Sequence, residues 1–230
     1  MFQPASQPTV VAFVLICVAV VAMFLLGVWR SAKGSGRNPI RQTALVAAAV
    51  LLWLGLGATM VKSGWVAQPG HLLVFGPAML LVAAGIGFSP VGRGIALACP
   101  LWALLAFQGF RLPLELVLHA WVEQGVIPAT MTWTGQNWDI VSGIVALGLA
   151  PFCRRSLAAA WVGNGVGFLL LLNVGRVAVL SAPVPFGWAD VTPKLTLPFH
   201  LPYALIVPVC VGGALAGHII LTRALLKRKA

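Results

Sequence analysis

Between Phe110 and Val122 the chain reads FRLPLELVLHAWV, which sets Arg111, Glu115 and His119 four residues apart in an otherwise apolar stretch. Side chains at that spacing share one face of a helix, so the three groups form a ladder about 12 Å long. Gln108 and Glu123 extend the row at its two ends. An arginine offers a planar fork to carboxylate or phosphate. A histidine titrates near neutral pH, and a Glu/His row in a membrane helix has the makings of a proton relay. As a catalytic set, Glu115 or His119 would serve as general base, with Arg111 or Arg176 stabilising an anion. Downstream, WTGQNWD supplies Asn137 as a helix cap and Asp139 in the first turn of the following helix. Arg176 falls about 28 Å along a helix that starts at Leu157, level with Asp139. Two neutral pairs follow from these positions, Arg111–Glu115 and Asp139–Arg176. The pairs serve either to lock helices together, to frame a ligand or ion site, or to support catalysis.

The candidate ligand-binding set is therefore Arg111, Glu115, His119, Asp139 and Arg176, with Asn137 and Gln108 as secondary members. No G-x-S-x-G, H-E-x-x-H or P-loop motif is present to specify a reaction. His71, His119 and His200 come from three separate segments without ligand spacing, so no metal site is assigned. A two-haem path is disfavoured because His218 is the one histidine expected near the inner face, while a single outer haem stays open. A retinal pigment is disfavoured because the last span has no mid-membrane lysine. The cofactor is left unassigned.

The elements that must position these groups are membrane helices. The chain is 60% hydrophobic and 8% charged, with a mean hydropathy of +0.98, more apolar surface than a soluble domain can hide. Spans of about 20 apolar residues are predicted over 9–29, 43–61, 71–89, 95–121, 138–153, 157–181 and 201–223. The expected fold class is an all-α polytopic transmembrane bundle of about seven spans, forming one membrane domain across residues 1–230. The fourth span would rise about 40 Å as one helix against a core of about 30 Å, and Pro113 offers a place for a kink.

The net charge of +11 is a topology signal rather than a nucleic-acid footprint. Arg30, Lys33, Arg37 and Arg41 follow the first span, Arg93 the third, Arg154 and Arg155 the fifth, and Arg223, Lys227, Arg228 and Lys229 the seventh. By the positive-inside rule this places the N-terminus outside and the C-terminus in the cytoplasm. The first span lacks a basic n-region and a small-residue cleavage site, which reads as a retained helix. The basic C-terminal tail RALLKRKA would also attract anionic lipid headgroups. Cys17, Cys99, Cys153 and Cys210 lie in or at the ends of spans without a CxxC pair and read as buried small hydrophobes. Gly163-x3-Gly167 and Gly213-x3-Gly217 allow close helix contact, either inside one subunit or in a homo-oligomer or with a membrane-protein partner. All four acids, together with Arg111, Arg176, His71, His119 and His200, fall in the outer half or outer loops, leaving mainly Asn164 and His218 inside.

FRLPLE, MTWTGQNWDIVSGI, LLLLNVGRVAVLSAPVPF and FHLPYALIVPVCV, which cover about residues 110–215, resemble a family of bacterial multi-span membrane proteins to which no activity is attached. The resemblance implies a multi-pass protein of the bacterial cytoplasmic (inner) membrane and carries over no functional residue. The expected function is an extracytoplasm-facing polar pocket binding a small polar or anionic ligand for transport or sensing. A membrane enzyme at the outer interface and a non-catalytic subunit of a larger membrane complex are the alternatives.

Overall fold

Long apolar runs punctuated by proline and capping residues dictate the helices. Helix α1 (Gln7–Gly34) starts with proline in its first turn, where a missing N–H costs nothing. It ends where Gly36 takes a left-handed φ of 70°. Helix α2 (Pro39–Lys62) follows at once, capped by Asn38, whose side chain accepts from the Arg41 amide at 3.0 Å. The computed structural model describes residues 2–228, so Lys229 and Ala230 of the basic tail lie outside the described residues. Every regular element among them is helical: α3 (Leu72–Phe88), α4 (Pro90–Ala98), α5 (Leu101–Ala106), α6 (Arg111–Glu123), α7 (Ile140–Leu149), α8 (Leu157–Ser181) and α9 (Gly212–Arg228), with short 3-10 turns and one π turn between them.

Five helical stretches are long and apolar enough to cross a membrane, and α3 with α4, bent by 55°, makes a sixth if that pair is one span. This differs from the predicted seven in two places. The overlong fourth span does not kink at Pro113. The chain bends instead at Ser89, whose hydroxyl caps α4 through the Val91 and Gly92 amides. It breaks again at Cys99–Pro100, and the crossing stretch then runs Leu101–Glu123. Pro113 is the third residue of α6, behind a 3-10 turn at Phe107–Phe110, where its lack of a donor is harmless. The expected fifth span, 138–153, is an apolar stretch of only 15 residues, Ile140–Arg154, which reaches about 22 Å.

The core falls into three clusters. One, at the first end of the bundle, joins Phe13, Trp121, Val126, Leu195 and Tyr203. A second joins Val28, Ile95, Cys153 and Leu225 near the basic helix ends. A third joins Val61, Val66, Phe75, Met79 and Ala204. The Ile140–Arg154 stretch packs into the second cluster through Ala146 and Cys153. The N-terminal segment is held at the first end, where Trp121 Nε1 donates to Thr9 Oγ1 at 3.0 Å and the Ser6 amide to Gln124 Oε1 at 2.7 Å. Large apolar side chains such as Leu15, Leu51, Leu52 and Leu81 point outward, as lipid-facing helices require.

Close approach of α6 and α7 depends on Gly143. A Cβ there would come within 2.5 Å of the Leu112 amide nitrogen and 2.7 Å of the Leu112 Cβ. Gly148, one turn further on, faces open space. Gly143→Ala should therefore lower stability by about 1–3 kcal/mol through overpacking, while Gly148→Ala should be neutral or slightly stabilising. Thermal unfolding of the two purified variants in detergent checks this. Equal midpoints would show that the α6–α7 approach does not constrain the fold.

Candidate functional site

The centre of the site is Arg111, which is 1% exposed. Its position at the start of α6, about 15 Å beyond Leu101, puts it near the middle of the Leu101–Glu123 stretch. Its Nε donates to Asp139 Oδ2 at 2.6 Å and its Nη2 to Asp139 Oδ1, a bidentate pair. The third branch, Nη1, donates to the Gly167 carbonyl at 2.8 Å and lies 3.2 Å from His218 Nε2. One guanidinium thus joins α6, the start of α7, α8 and α9. Gly167 makes this possible, because a Cβ there would fall 2.7 Å from the His218 ring.

The remaining partners fix the orientation of each group. Guanidinium cannot accept a hydrogen bond, so His218 Nε2 must accept and its Nδ1 carries the proton. Nδ1 then donates to Asn164 Oδ1 at 2.9 Å, Asn164 Nδ2 donates to Thr222 Oγ1 at 2.8 Å, and Thr222 donates to the His218 carbonyl at 2.8 Å. On the other side, Ser142 Oγ donates to Asp139 Oδ1 at 2.9 Å. Asn137 Oδ1 accepts from the Asp139 amide at 3.2 Å, and Asn137 Nδ2 donates both to the Met131 carbonyl at 3.0 Å and to Glu115 Oε1 at 2.7 Å. A single polar chain therefore runs from Glu115 through Asn137, Asp139, Arg111, His218 and Asn164 to Thr222.

Glu115 is also 1% exposed, and its second oxygen, Oε2, is enclosed without a hydrogen-bond partner. Gln108 donates to the Ala214 carbonyl at 3.1 Å, and its Oε1 is likewise enclosed and unpartnered. Glu115, Arg111 and Asp139 border a cavity of ≈ 80 Å³ whose surface is almost wholly apolar, with Leu171, Leu197 and Val207 among its lining residues. That is room for a few molecules the size of water.

Of the seven sequence-predicted residues, Arg111, Glu115, Asp139, Asn137 and Gln108 are buried along the bundle interior, while His119 and Arg176 stand apart. The pairing also differs from the expected one: Arg111 takes Asp139, not Glu115, and Asp139 does not reach Arg176. A step of four residues advances about 40° around a helix of 3.6 residues per turn, so His119 is turned about 80° from Arg111. It stacks on Trp133 with centroids 4.2 Å apart and lies 3.7 Å from Glu123. Arg176 is exposed, held by Asn173 and Gln136 and set 5.7 Å over the Trp188 ring. Asn137 holds the Asp139 amide rather than capping α7 directly, since α7 starts at Ile140.

His71 lies tilted against Trp65 and His200 stacks on Phe2, so His71, His119 and His200 keep separate company. Burial holds His200 below the usual imidazole range. Sequence reasoning missed His218 and Asn164 as members of the site. Their signal was present, as two polar side chains in mid-helix on otherwise apolar spans. The small-residue spacings are used within the chain: a Cβ at Gly163 would strike Leu105, at Gly213 would crowd Val20, and at Gly217 would strike Gln108 and Phe107.

Comparison of the chain with protein-family models, curated proteins and solved structures yields no match. The functional reading therefore rests on the geometry of the polar chain.

Removing Asp139 from the pair should be costly, because it leaves a buried guanidinium uncompensated. Asp139→Asn should lose about 3–5 kcal/mol, and the double change Arg111→Met with Asp139→Leu should recover a large part of it. Arg176→Gln, on the surface, should stay within about 0.5 kcal/mol of the parent. Denaturation of the purified variants in one detergent gives the comparison. A loss for Arg176→Gln as large as that for Asp139→Asn would contradict the assignment of the central charge.

Proposed function

We propose that this is a multi-pass membrane protein that binds a small hydrogen-bond-donating ligand at Glu115, for transport or sensing across the membrane. The observation that carries it is the enclosed, unpartnered Oε2 of Glu115, a residue that borders the ≈ 80 Å³ cavity. The charge balance narrows the ligand. Asp139 already neutralises Arg111 and takes up its bidentate fork, so the site has little to offer an anion. Glu115 makes no ion pair among the described residues. A buried carboxylate without a cation is costly in a membrane protein, and a small cation or a proton relieves that cost. Ammonium-sized ions and protons fit both the charge and the cavity volume, whereas larger polar solutes do not.

The proposed topology has seven crossings, with the N-terminus outside and the C-terminus in the cytoplasm of a bacterial inner membrane. The basic helix ends support the orientation. The apolar stretch Ile140–Arg154, which leads from the buried Asp139 to the core cluster near the basic helix ends, supports counting it as a short crossing.

Two measurements test this reading. Glu115→Gln keeps an oxygen for Asn137 but turns a donor into the cavity, so the variant should fold while ion or proton flux into proteoliposomes falls to background. Wild-type flux in a folded Glu115→Gln protein, or no flux of ammonium or protons in the wild type, would overturn the proposal. For the orientation, all four native cysteines are buried, so single added cysteines can be read directly in intact cells. A membrane-impermeant thiol reagent should label Thr134→Cys and spare Lys227→Cys, and the opposite pattern would invert the topology.

A further inference from the structure

We infer that a second, apolar cleft near the basic end of the molecule holds one acyl chain of an anionic phospholipid. The cleft has a volume of ≈ 340 Å³ and is walled by α1, α2, the bent α3–α4 pair, α5 and α9. Along α1 it runs from Val20 to Arg30, about 15 Å parallel to the helix axis. Its length and apolar lining fit an extended hydrocarbon chain rather than a compact polar solute. Small residues, Ala83, Ala103, Ala106 and Ala216, make up part of its wall. A cleft of this kind among lipid-facing helices takes its occupant from the bilayer.

The end of the cleft selects the headgroup. Arg30 lines it and is exposed, and Trp102, also in the wall, carries the Arg154 guanidinium 5.3 Å from its ring centroid. Neither arginine has a carboxylate partner among the described residues, and none of the four acids, Glu115, Glu123, Asp139 and Asp190, belongs to the helix ends that carry these cations. Positive charge left uncompensated by the protein, beside the mouth of an acyl-sized cleft, matches a phosphodiester at the membrane surface. This site is separate from the Glu115 cavity, and nothing in its argument depends on ligand binding there.

The test uses the full-length protein in detergent, with phosphatidylglycerol and phosphatidylcholine of identical chains as probes. Native mass spectrometry counts the bound lipid, and the shift in melting temperature reports its effect. The wild type should retain one phosphatidylglycerol with a preference of about fivefold over phosphatidylcholine, the size expected for one basic contact at the surface. Arg30→Gln, a change at an exposed side chain, should abolish the preference while leaving a bound lipid. Ala103→Leu, which fills the cleft from a partly exposed position, should remove the bound lipid of either kind. Equal retention of the two lipids by the wild type would overturn the inference. So would a preference that survives Arg30→Gln, or lipid binding untouched by Ala103→Leu.

Discussion

A buried arginine cannot shed its proton, so everything around Arg111 is arranged to keep its charge satisfied away from water. Asp139 supplies the countercharge, the Gly167 carbonyl takes a third branch, and His218 presents a lone pair to the same nitrogen. Each partner comes from a different helix, so satisfying one side chain fixes the relative placement of α6, α7, α8 and α9. Apolar helices in lipid have little hydrophobic reason to choose one packing over another. The unpaired alternatives for Arg111, by contrast, are all expensive. Such a group specifies an arrangement even where it adds little net stability.

The same demand accounts for the irregular parts of the fold. Asp139 must meet Arg111, so α7 starts beside it and is too short to form a regular span. The backbone leading into it, from Ala129 through Asn137, alternates between the interior and the surface. The Met131 carbonyl is taken by Asn137 and the Thr130 hydroxyl is paired with Ser181 at 2.7 Å, while Ala129, Thr134 and Gln136 are exposed. Gly143 and Gly167 are the steric side of this solution, since each leaves room for the contact that a Cβ would block.

Much of the site was legible in the sequence because charge is so scarce. In a chain with four acids, an arginine and a glutamate inside an apolar helix identify themselves, and Asn137 and Asp139 stood out at a helix entry. The partners were not legible. Spacing along one helix favoured Arg111–Glu115, but the bidentate fork found its geometry across helices, with Asp139. His218 and Asn164 were kept apart from Arg111 because the span of Arg111 was counted from Ile95, and hydropathy does not register the break at Cys99–Pro100. The crossing stretch starts at Leu101 instead, and Arg111 meets His218. His119 was grouped with Arg111 by spacing alone, although the 40° drift per step turns it toward Trp133. The helical class was clear from composition, whereas the span predicted over 138–153 is the short stretch Ile140–Arg154, whose length hydropathy alone did not separate from that of a full crossing.

The division of labour around the cavity follows from these constraints. Arg111 and Asp139 hold each other from two sides and leave little freedom, so they are the fixed wall. The opposite wall is made partly of Ile206, Val207, Cys210 and Val211, which belong to the 3-10 turn at Tyr203–Ile206 and the π turn at Val207–Val211 ahead of α9. A π turn replaces regular i to i−4 hydrogen bonds with wider, less favourable ones, and reverting it to α geometry rotates the segment before it relative to α9. Rotation of Tyr203–Ile206 changes the cavity directly while leaving His218, a turn and a half into the regular helix, bonded to Arg111. An occupant of the Glu115 cavity would therefore press on the one wall that has a second backbone geometry available, against another that the buried charge holds still.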